Sequence, residues 1–399
     1  MIRIFFKTLW NNRLRNVLVI IELFIISLVL VNLTVYLTER IRIRSIKTCY
    51  DMRNVIGLGL YNKLEDPNNE PAPFDENKLE LFHNLKLKLE SNELVESVSF
   101  AGNASPFYQA PTGCSHPFGD EEVFISRMYV DFDYADVMKI KPLKGRWFNE
   151  SDRAKTVKSG LITKSIEEKY FNGNAVGKIL GGREYCRLEI IGVVEEFKRT
   201  DFEEPRPIAF VFNEDLANHR RLEILIRAKP GEAENFLKIT EKEIMSVLDP
   251  NVWGIRTMNT FDNMRSTENL QRLQHKYLGV LLAIFIMINV LLGVIGILWY
   301  NTNLRIHEIG VKRAMGATGR SIKRQLILEN LVLGGLGIIA VALIYFQLPS
   351  IRITKVDPGV MYVSVIISVI LMVLLILLST WIPASIASKI KPAEALKTE

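Results

Sequence analysis

The chain is poor in the residues that most often do chemistry. Of its 399 residues only five are histidine and three are cysteine. His83, His116, His219, His275 and His307 form no HExxH motif and no pair at metal-ligand spacing, and there is no Cys-x-x-Cys, so no metal centre is expected. No Gly-x-Ser-x-Gly elbow is present to carry a hydrolase nucleophile. GNAVGK at Gly173–Lys178 has the outline of a phosphate loop. It is one residue short between its glycines, however, and Ile179 stands where Ser or Thr would meet magnesium. An enzyme is therefore not expected, and any ATP hydrolysis must come from a partner. Lys and Arg exceed Asp and Glu only by 50 to 44, without a basic stripe interleaved with aromatics, which argues against nucleic acid as a partner.

What the chain does have is apolar length. Mean hydropathy is +0.14, between the values of a soluble and a fully buried membrane protein, as a few spans joined to a polar domain would give. Four runs are long enough to cross about 30 Å of hydrocarbon, which takes about 20 residues: Val17–Leu37, Leu278–Trp299, Leu326–Phe346 and Met361–Ile382. The first is too long for a signal-peptide core and is followed by TERIRIRSIK rather than a small-residue cleavage site, so it reads as an uncleaved anchor. The loop after the second run holds Arg305, Lys312, Arg313, Arg320, Lys323 and Arg324, whereas the loop after the third holds only Arg352 and Lys355. Basic short loops face the cytoplasm, so both termini are expected inside a bacterial inner membrane, with the long segment between runs one and two outside. Arg40, Arg42, Arg44 and Lys47, just beyond the first run, point the other way; long segments translocate largely regardless of charge.

The expected layout is a cytoplasmic N-terminal segment 1–16, a first span 17–37, an extracytoplasmic domain with stalks 38–277, a second span 278–300, a cytoplasmic segment 301–325, a third span 326–346, a short outer loop 347–360, a fourth span 361–382 and a cytoplasmic tail 383–399. The fold class is thus a four-helix membrane protein carrying a large α+β domain. In that domain Val55–Leu60 and Val95–Phe100 are β-rich and flank a helical pattern at 75–89; Leu222–Ala228 and Val252–Met258 flank another at 231–248. Two βαβ units therefore bracket a middle region, 104–215, that reads as an inserted small α/β subdomain with strands at Leu188–Val194 and Ile208–Phe212. Cys49, Cys114 and Cys186 all fall in the domain. The odd count leaves one unpaired, and they read first as buried thiols; a Cys114–Cys186 bridge is the alternative that spacing cannot decide.

Residues 301–325, NTNLRIHEIGVKRAMGATGRSIKRQ, are the most telling stretch. Leu304, Ile306, Ile309 and Val311 fall largely on a different helical side from Arg305, Glu308, Lys312 and Arg313, with Gly310 and Gly316 permitting close contact or a helix stop. Such a helix can lie along the membrane surface with its polar side open to a cytoplasmic protein. Its wording, EIGVKRAMGAT, resembles the coupling segment of the MacB/FtsX family of ABC-transporter permeases. The resemblance extends to Gly145, Arg146, Phe148 and Asp152, to Phe171, Gly173, Val176, Gly177 and Lys178, to Ile191, Gly192 and Val193, and to the closing Pro383, Ala384, Ala387, Pro392, Ala393, Glu394, Ala395 and Leu396. Taken by themselves, Gly145-Arg146 and Gly192 read as turns and close strand packing.

The resemblance implies a MacB-like periplasmic core domain and a permease that docks a separate ABC ATPase through Arg305, Glu308, Ile309, Gly310, Lys312, Arg313, Ala314, Gly316 and Ala317. It further implies a second permease copy or paralogue, a periplasmic adaptor with an outer-membrane channel, and membrane lipid as partners. ATP and magnesium would sit on the ATPase, with no cofactor on this chain. The work would pass through the membrane as motion, to export or handle an antimicrobial, a peptide, a lipoprotein or a lipid. An FtsX-type regulator of cell-wall hydrolases is the alternative function, and a membrane-anchored sensor without ATPase a second. Glu22 in the first span and Asn289 in the second are intramembrane polar candidates, with a bond between such groups as one outcome; Glu329 and Asn330 read as edge residues. Gly293, Gly296, Gly334, Gly335 and Gly337 are spaced for close helix approach.

Overall fold

The computed structural model describes residues 13–64, 76–107, 112–119, 121–198, 203–213, 216, 222–304, 306–347 and 356–387. Arg3, Lys7, Arg305 and the closing motif at 392–396 lie outside the described residues. Two compact units divide the chain: Ser45–Leu273, and Met1–Arg44 together with Gln274–Glu399.

The unit Ser45–Leu273 is built on one eleven-stranded sheet. Its first half holds β1 (Val55–Asn62), α2 (Glu76–Glu90), β2 (Val95–Gly102), β10 (Leu222–Ala228), α5 (Ala233–Met245) and β11 (Trp253–Thr260); α1 (Arg13–Ser45) precedes them. The first six residues of β1 are all buried, as expected of a central strand with both faces covered. Helix α2 buries Phe82, Leu85 and Leu89, and α5 buries Ala233, Phe236, Thr240 and Ile244, each at helical spacing and against the same cluster of strand residues. Phe82 meets Phe100 and Trp253 edge-on, with ring centroids 5.9 and 5.2 Å away. The two expected βαβ units are present as elements but do not stand side by side. The strand order is β11-β1-β10-β2, all antiparallel. Each helical crossover skips one strand position, and the other unit's strand fills the gap, which is the split βαβ arrangement.

The middle region supplies β3 (Gly113–Phe118), β4 (Glu121–Val130), α3 (Tyr134–Met138), β5 (Lys144–Gly145), β6 (Ser159–Thr163), α4 (Lys164–Phe171), β7 (Ile179–Leu180), β8 (Leu188–Val194) and β9 (Ile208–Phe212). These strands do not make a separate sheet. They continue the first one in the order β2-β4-β9-β6-β8-β5, with β3 on β4 and β7 on β8. The joint is narrow, since β2 and β4 share only the pairs Ala101–Val130 and Gly102–Tyr129. A second connection comes from the segment after α1. There Cys49 N–H donates to Glu196 O at 2.9 Å, Tyr50 Oη–H donates to Lys198 O, and Asp51 N–H donates to Met138 O at 2.8 Å. An aromatic cluster of Tyr134, Phe148, Phe197, Phe210 and Phe212 fills this half.

Two of the three cysteines are not free thiols. Cys114 on β3 and Cys186 in the 3-10 turn Glu184–Cys186 form a disulfide across 72 residues, their Cα atoms 6.0 Å apart. Cys49 is buried and unbonded, and burial pushes its thiol far up, leaving it an inert packing group.

The other unit is helical: most of α1, α6 (Phe261–Asn303) from Gln274 onward, α7 (Ile306–Ala314), α8 (Gly319–Gln347) and α9 (Pro358–Ala387). Three of the four expected spans are long and apolar enough to cross a membrane: Val19–Ser45, Gly319–Gln347 and Pro358–Trp381. The remaining expected span, Leu278–Trp299, falls within α6; among the described residues its apolar helix is followed over Leu281–Gly296. Gly337 lets α8 press on α1, because a Cβ there would come within 3.1 Å of Phe24 N and 3.2 Å of Leu23 C. Gly334 faces the Ile376 side chain of α9. Gly296 and Gly335 face open space and Gly293 makes only an ordinary contact, so close approach applies to two of the five glycines.

Candidate functional site

The α7–α8 hairpin is a short helix, a tight stop and a capped restart. Gly316 sits at φ +93°, in the left-handed region that closes a helix. Ala317 N–H donates to Lys312 O and Gly316 N–H to Arg313 O, both at 3.0 Å, which is the paired bonding of a Schellman motif. Thr318 then caps α8, its Oγ1 accepting from Ser321 N–H at 3.3 Å. Ile309 of α7 packs with Ile322 and Leu326 of α8 and with Ala317, pinning the short helix to the start of the long one. Glu308 and Lys312 pair at 2.9 Å, one turn apart, with Glu in the favourable N-terminal position; half-exposed, the pair is worth about 0.3–0.5 kcal/mol.

The expected coupling residues thus divide. Ile309 and Gly310 are buried, and Ile309 holds the hairpin together; Glu308, Lys312, Arg313 and Ala317 are half-buried; Ala314 and Gly316 are exposed. Sequence reading missed the most exposed apolar side chain of the hairpin, Met315, at 83%. The signal was available, because Met315 directly precedes the glycine stop and so sits at the tip.

Glu22 and Asn289 lie on exposed helix surfaces. Asn289 Nδ2 donates to Phe285 O of its own helix at 2.8 Å, an intrahelical bond rather than the cross-span bond that was one of the readings for Glu22. The buried intramembrane polar groups are others. Glu329 and Asn330, read as edge residues, are 3% and 4% exposed. Gln325 Nε2 donates to Glu329 Oε1 at 2.8 Å, and Asn330 Nδ2 to Thr380 Oγ1 of α9 at 3.3 Å. Thr34 of α1 pairs with Ser368 of α9 at 2.5 Å, and Ser368 Oγ–H donates to Ser364 O at 2.7 Å. Ser and Thr look unremarkable in an apolar run, so their meeting shows only once the helices are packed.

In the Ser45–Leu273 unit the motif residues hold the fold. Gly145 has φ +72°, and a Cβ there would fall 2.1 Å from Ile191 O, while one on Gly192 would fall 2.7 Å from Arg146 O. Arg146 makes a two-pronged bond to Asp152 at 2.6 and 2.9 Å. Asp152 also accepts from Asn149 N–H and Ser159 Oγ–H. Although burial opposes it, these bonds, led by Arg146, hold the Asp152 carboxyl well below the usual range.

The disulfide has a flanking residue on either side along the sheet. His116 Nδ1 is bonded to Gly181 O, and Arg127 donates to Tyr185 O at 3.1 Å and to Cys186 O. Segment 181–186 is therefore gripped at three points. Burial, opposed by the Gly181 bond and reinforced by nearby Arg127, pushes the His116 pKa down. On β10, burial lifts Glu223 to about 7 against the pull of Ser105 N–H and Arg256. A cavity of about 40 Å³ lies beside Asn103, Ser105, Thr112, Ser126 and Phe197. Among the described residues no group of His, Cys, Asp and Glu is placed to hold a metal ion.

Comparison with known proteins gives these arrangements a family. The MacB-like periplasmic core domain matches residues 51–237, and the FtsX-like permease C-terminal matches residues 280–392. A macrolide export ATP-binding/permease protein MacB from Pasteurella multocida is 26% identical over 277 residues, 67% of this chain and 42% of that protein. The uncharacterized ABC transporter permease YknZ of Bacillus subtilis is 21% identical over 290 residues, 71% of this chain and 72% of that protein. The chain spans about half the length of the Pasteurella and Neisseria MacB relatives it matches, 42% to 49%. The crystal structure of the extracellular domain of the noncanonic ABC-type transporter YknZ overlays on 50% of this chain and 100% of its own, with 20% identity and a TM-score of 0.34. With both domains matched in order, one on each unit, the chain belongs to the MacB/FtsX-like ABC transporter permeases.

Proposed function

We propose that the chain is the membrane subunit of a MacB-like ABC exporter, worked by a separate ABC ATPase that carries the ATP and magnesium. The carrying observation is the α7–α8 hairpin: a short helix braced by Ile309, Ile322 and Leu326, with Met315 83% exposed at its tip. Bracing makes the hairpin a stiff element, so a push on the tip moves α8 rather than bending α7. Counting α6 as a crossing gives four spans with both termini inside the bacterial inner membrane and Ser45–Leu273 outside. Helix α6 has 43 residues, about 65 Å at 1.5 Å each, and runs unbroken from the outer unit into the helical one. Such a helix suits transmission of motion without a substrate path through the bundle.

Two ATPases closing on two hairpins imply a permease dimer, with an adaptor and outer-membrane channel as further partners. Relatives named for macrolide and pyoverdine export support an exporter. The MacB-like match of the outer domain supports the exporter reading over regulation of an FtsX type, which is the second reading. The test is the ATPase rate of a co-expressed ABC ATPase in nanodiscs, with the wild-type chain and with Met315→Glu. The expected result is a stable complex whose rate falls by tenfold or more in the variant, about 1.4 kcal/mol of coupling. Unchanged assembly and rate in Met315→Glu would refute the docking role.

A further inference from the structure

We infer that the outer end of α1 binds the phosphate headgroup of an anionic lipid in the extracytoplasmic leaflet. The inference rests on the membrane placement proposed above. It begins from basic residues that the charge rule for short loops does not account for: Arg40, Arg42 and Arg44 follow the apolar run on the side where such residues are disfavoured.

Helix α1 continues through them to Ser45, which fixes their depth. With the apolar run ending at Leu37, Arg40 and Arg44 stand roughly 4.5 and 10.5 Å further along the axis. The headgroup layer on each side of a bilayer is about 5–8 Å thick. The Cα of Arg40 therefore lies within that layer and that of Arg44 roughly 3–5 Å beyond it, a distance its long side chain can span back toward the membrane.

The face is as telling as the depth. Leu37, Arg40, Ile41 and Arg44 are spaced i, i+3, i+4 and i+7, so they share one side of the helix. All four are exposed, Leu37 at 38% and Ile41 at 71%. Arg42 belongs elsewhere on the helix and is paired with Glu39 at 2.6 Å. The Arg40 guanidinium stacks over the Tyr36 ring at 5.3 Å, which steadies it at the height of the interface. An isoleucine exposed at 71% between two arginines is a poor surface for water and a poor one for pure hydrocarbon. A phospholipid satisfies both parts: its phosphate bridges the guanidinium forks one turn apart, and its glycerol and upper acyl carbons cover Ile41 and Leu37. A soluble phosphate would meet the arginines and leave the apolar pair uncovered.

The test uses the full chain in nanodiscs of equal parts phosphatidylglycerol and phosphatidylcholine, with a benzophenone amino acid replacing Ile41. After illumination, lipid adducts are counted by mass. Phosphatidylglycerol adducts are expected to exceed phosphatidylcholine adducts by about fivefold or more, the effect of roughly one basic residue at an anionic surface. The excess should vanish in Arg40→Gln/Arg44→Gln and survive in Arg40→Lys/Arg44→Lys. Equal adducts in the unmodified background, or an excess that persists in the glutamine variant, overturn the inference. Loss of the excess on adding inorganic phosphate at matched ionic strength overturns the assignment to lipid. No adduct with either lipid would overturn the membrane placement itself, whereas adducts without preference would sink only the inference.

Discussion

Replacing Glu223 by glutamine should stabilise the outer unit, and only above mildly acidic pH. Glu223 lies on β10, an inner strand, and its Oε2 accepts from Ser105 N–H at 3.1 Å. Burial raises its pKa to about 7 from the ordinary 4.5. Below 4.5 the carboxyl is protonated whether the chain is folded or not, and its full contribution to stability is present. As pH rises the unfolded chain ionises first, so stability is lost progressively until the folded carboxyl also ionises near 7. The distance between the two values corresponds to about 3 kcal/mol. Glutamine keeps an acceptor for Ser105 N–H and carries no charge at any pH. Urea unfolding of residues 45–273 should therefore show Glu223→Gln more stable than wild type by about 3 kcal/mol near pH 8 and nearly equal near pH 4. Other titrating groups are common to both proteins and cancel in the difference. A difference independent of pH, or a variant less stable near pH 8, would refute the reasoning.

Reducing the Cys114–Cys186 bond, or replacing both residues by serine, opens a loop of 72 residues and should cost about 4 kcal/mol on the chain-entropy argument; equal urea midpoints with and without reductant would contradict it. Arg146→Ala leaves a buried Asp152 with its Asn149 and Ser159 bonds but without its ion pair, and a loss of about 2–3 kcal/mol is expected by the same denaturation. Because Asp152 is held low, stability from that site should fade as pH drops below the ordinary 3.8 in wild type and not in Asp152→Asn. Gly337→Val forces a branched side chain against the α1 backbone and should lower thermal stability in detergent by about 1–3 kcal/mol, whereas Gly335→Val, facing open space, should not.

Much of the fold was legible because periodicity reports burial directly. The strand at Val55 and the helix around Phe82 declare themselves through runs and through i, i+3 spacing. The split βαβ order was not legible, since which strand fills the gap left by a crossover is decided by tertiary packing. The continuity of the sheet rests on two residue pairs at Ala101 and Gly102, too few to leave a pattern. Disulfide pairing was equally hidden, because Cys114 and Cys186 meet only when the 3-10 turn Glu184–Cys186 comes alongside β3. For the site, the motif EIGVKRAMGAT marked the segment, and of the two glycines read as close contacts or helix stops, Gly316 is the stop while Gly310 lies inside the helix. Which residues face outward was not foretold: Ile309 braces, Gly310 is buried, and Met315 is the tip. In the membrane helices Glu22 drew attention by its charge, yet the buried group is Glu329, since depth along a helix says nothing about which side faces its neighbours.

The narrow joint between β2 and β4 has a mechanical meaning. The chain leaving α1 is bonded to the inserted half at Glu196, Lys198 and Met138 before it enters β1, whereas α6 follows directly from β11. Tension from α1 is therefore shared with the inserted half, while tension from α6 enters the split βαβ half, whose β1–β11 ladder has seven residue pairs. In the proposed transmission of motion, displacement of one helix relative to the other loads the joint between the halves, where the two ladder pairs Ala101–Val130 and Gly102–Tyr129 are backed by Arg227 donating to Val137 O and by the Lys86–Asp131 ion pair. On that reading the residues at this joint, Arg227 and Lys86 among them, set how far a given pull turns one half of the sheet against the other.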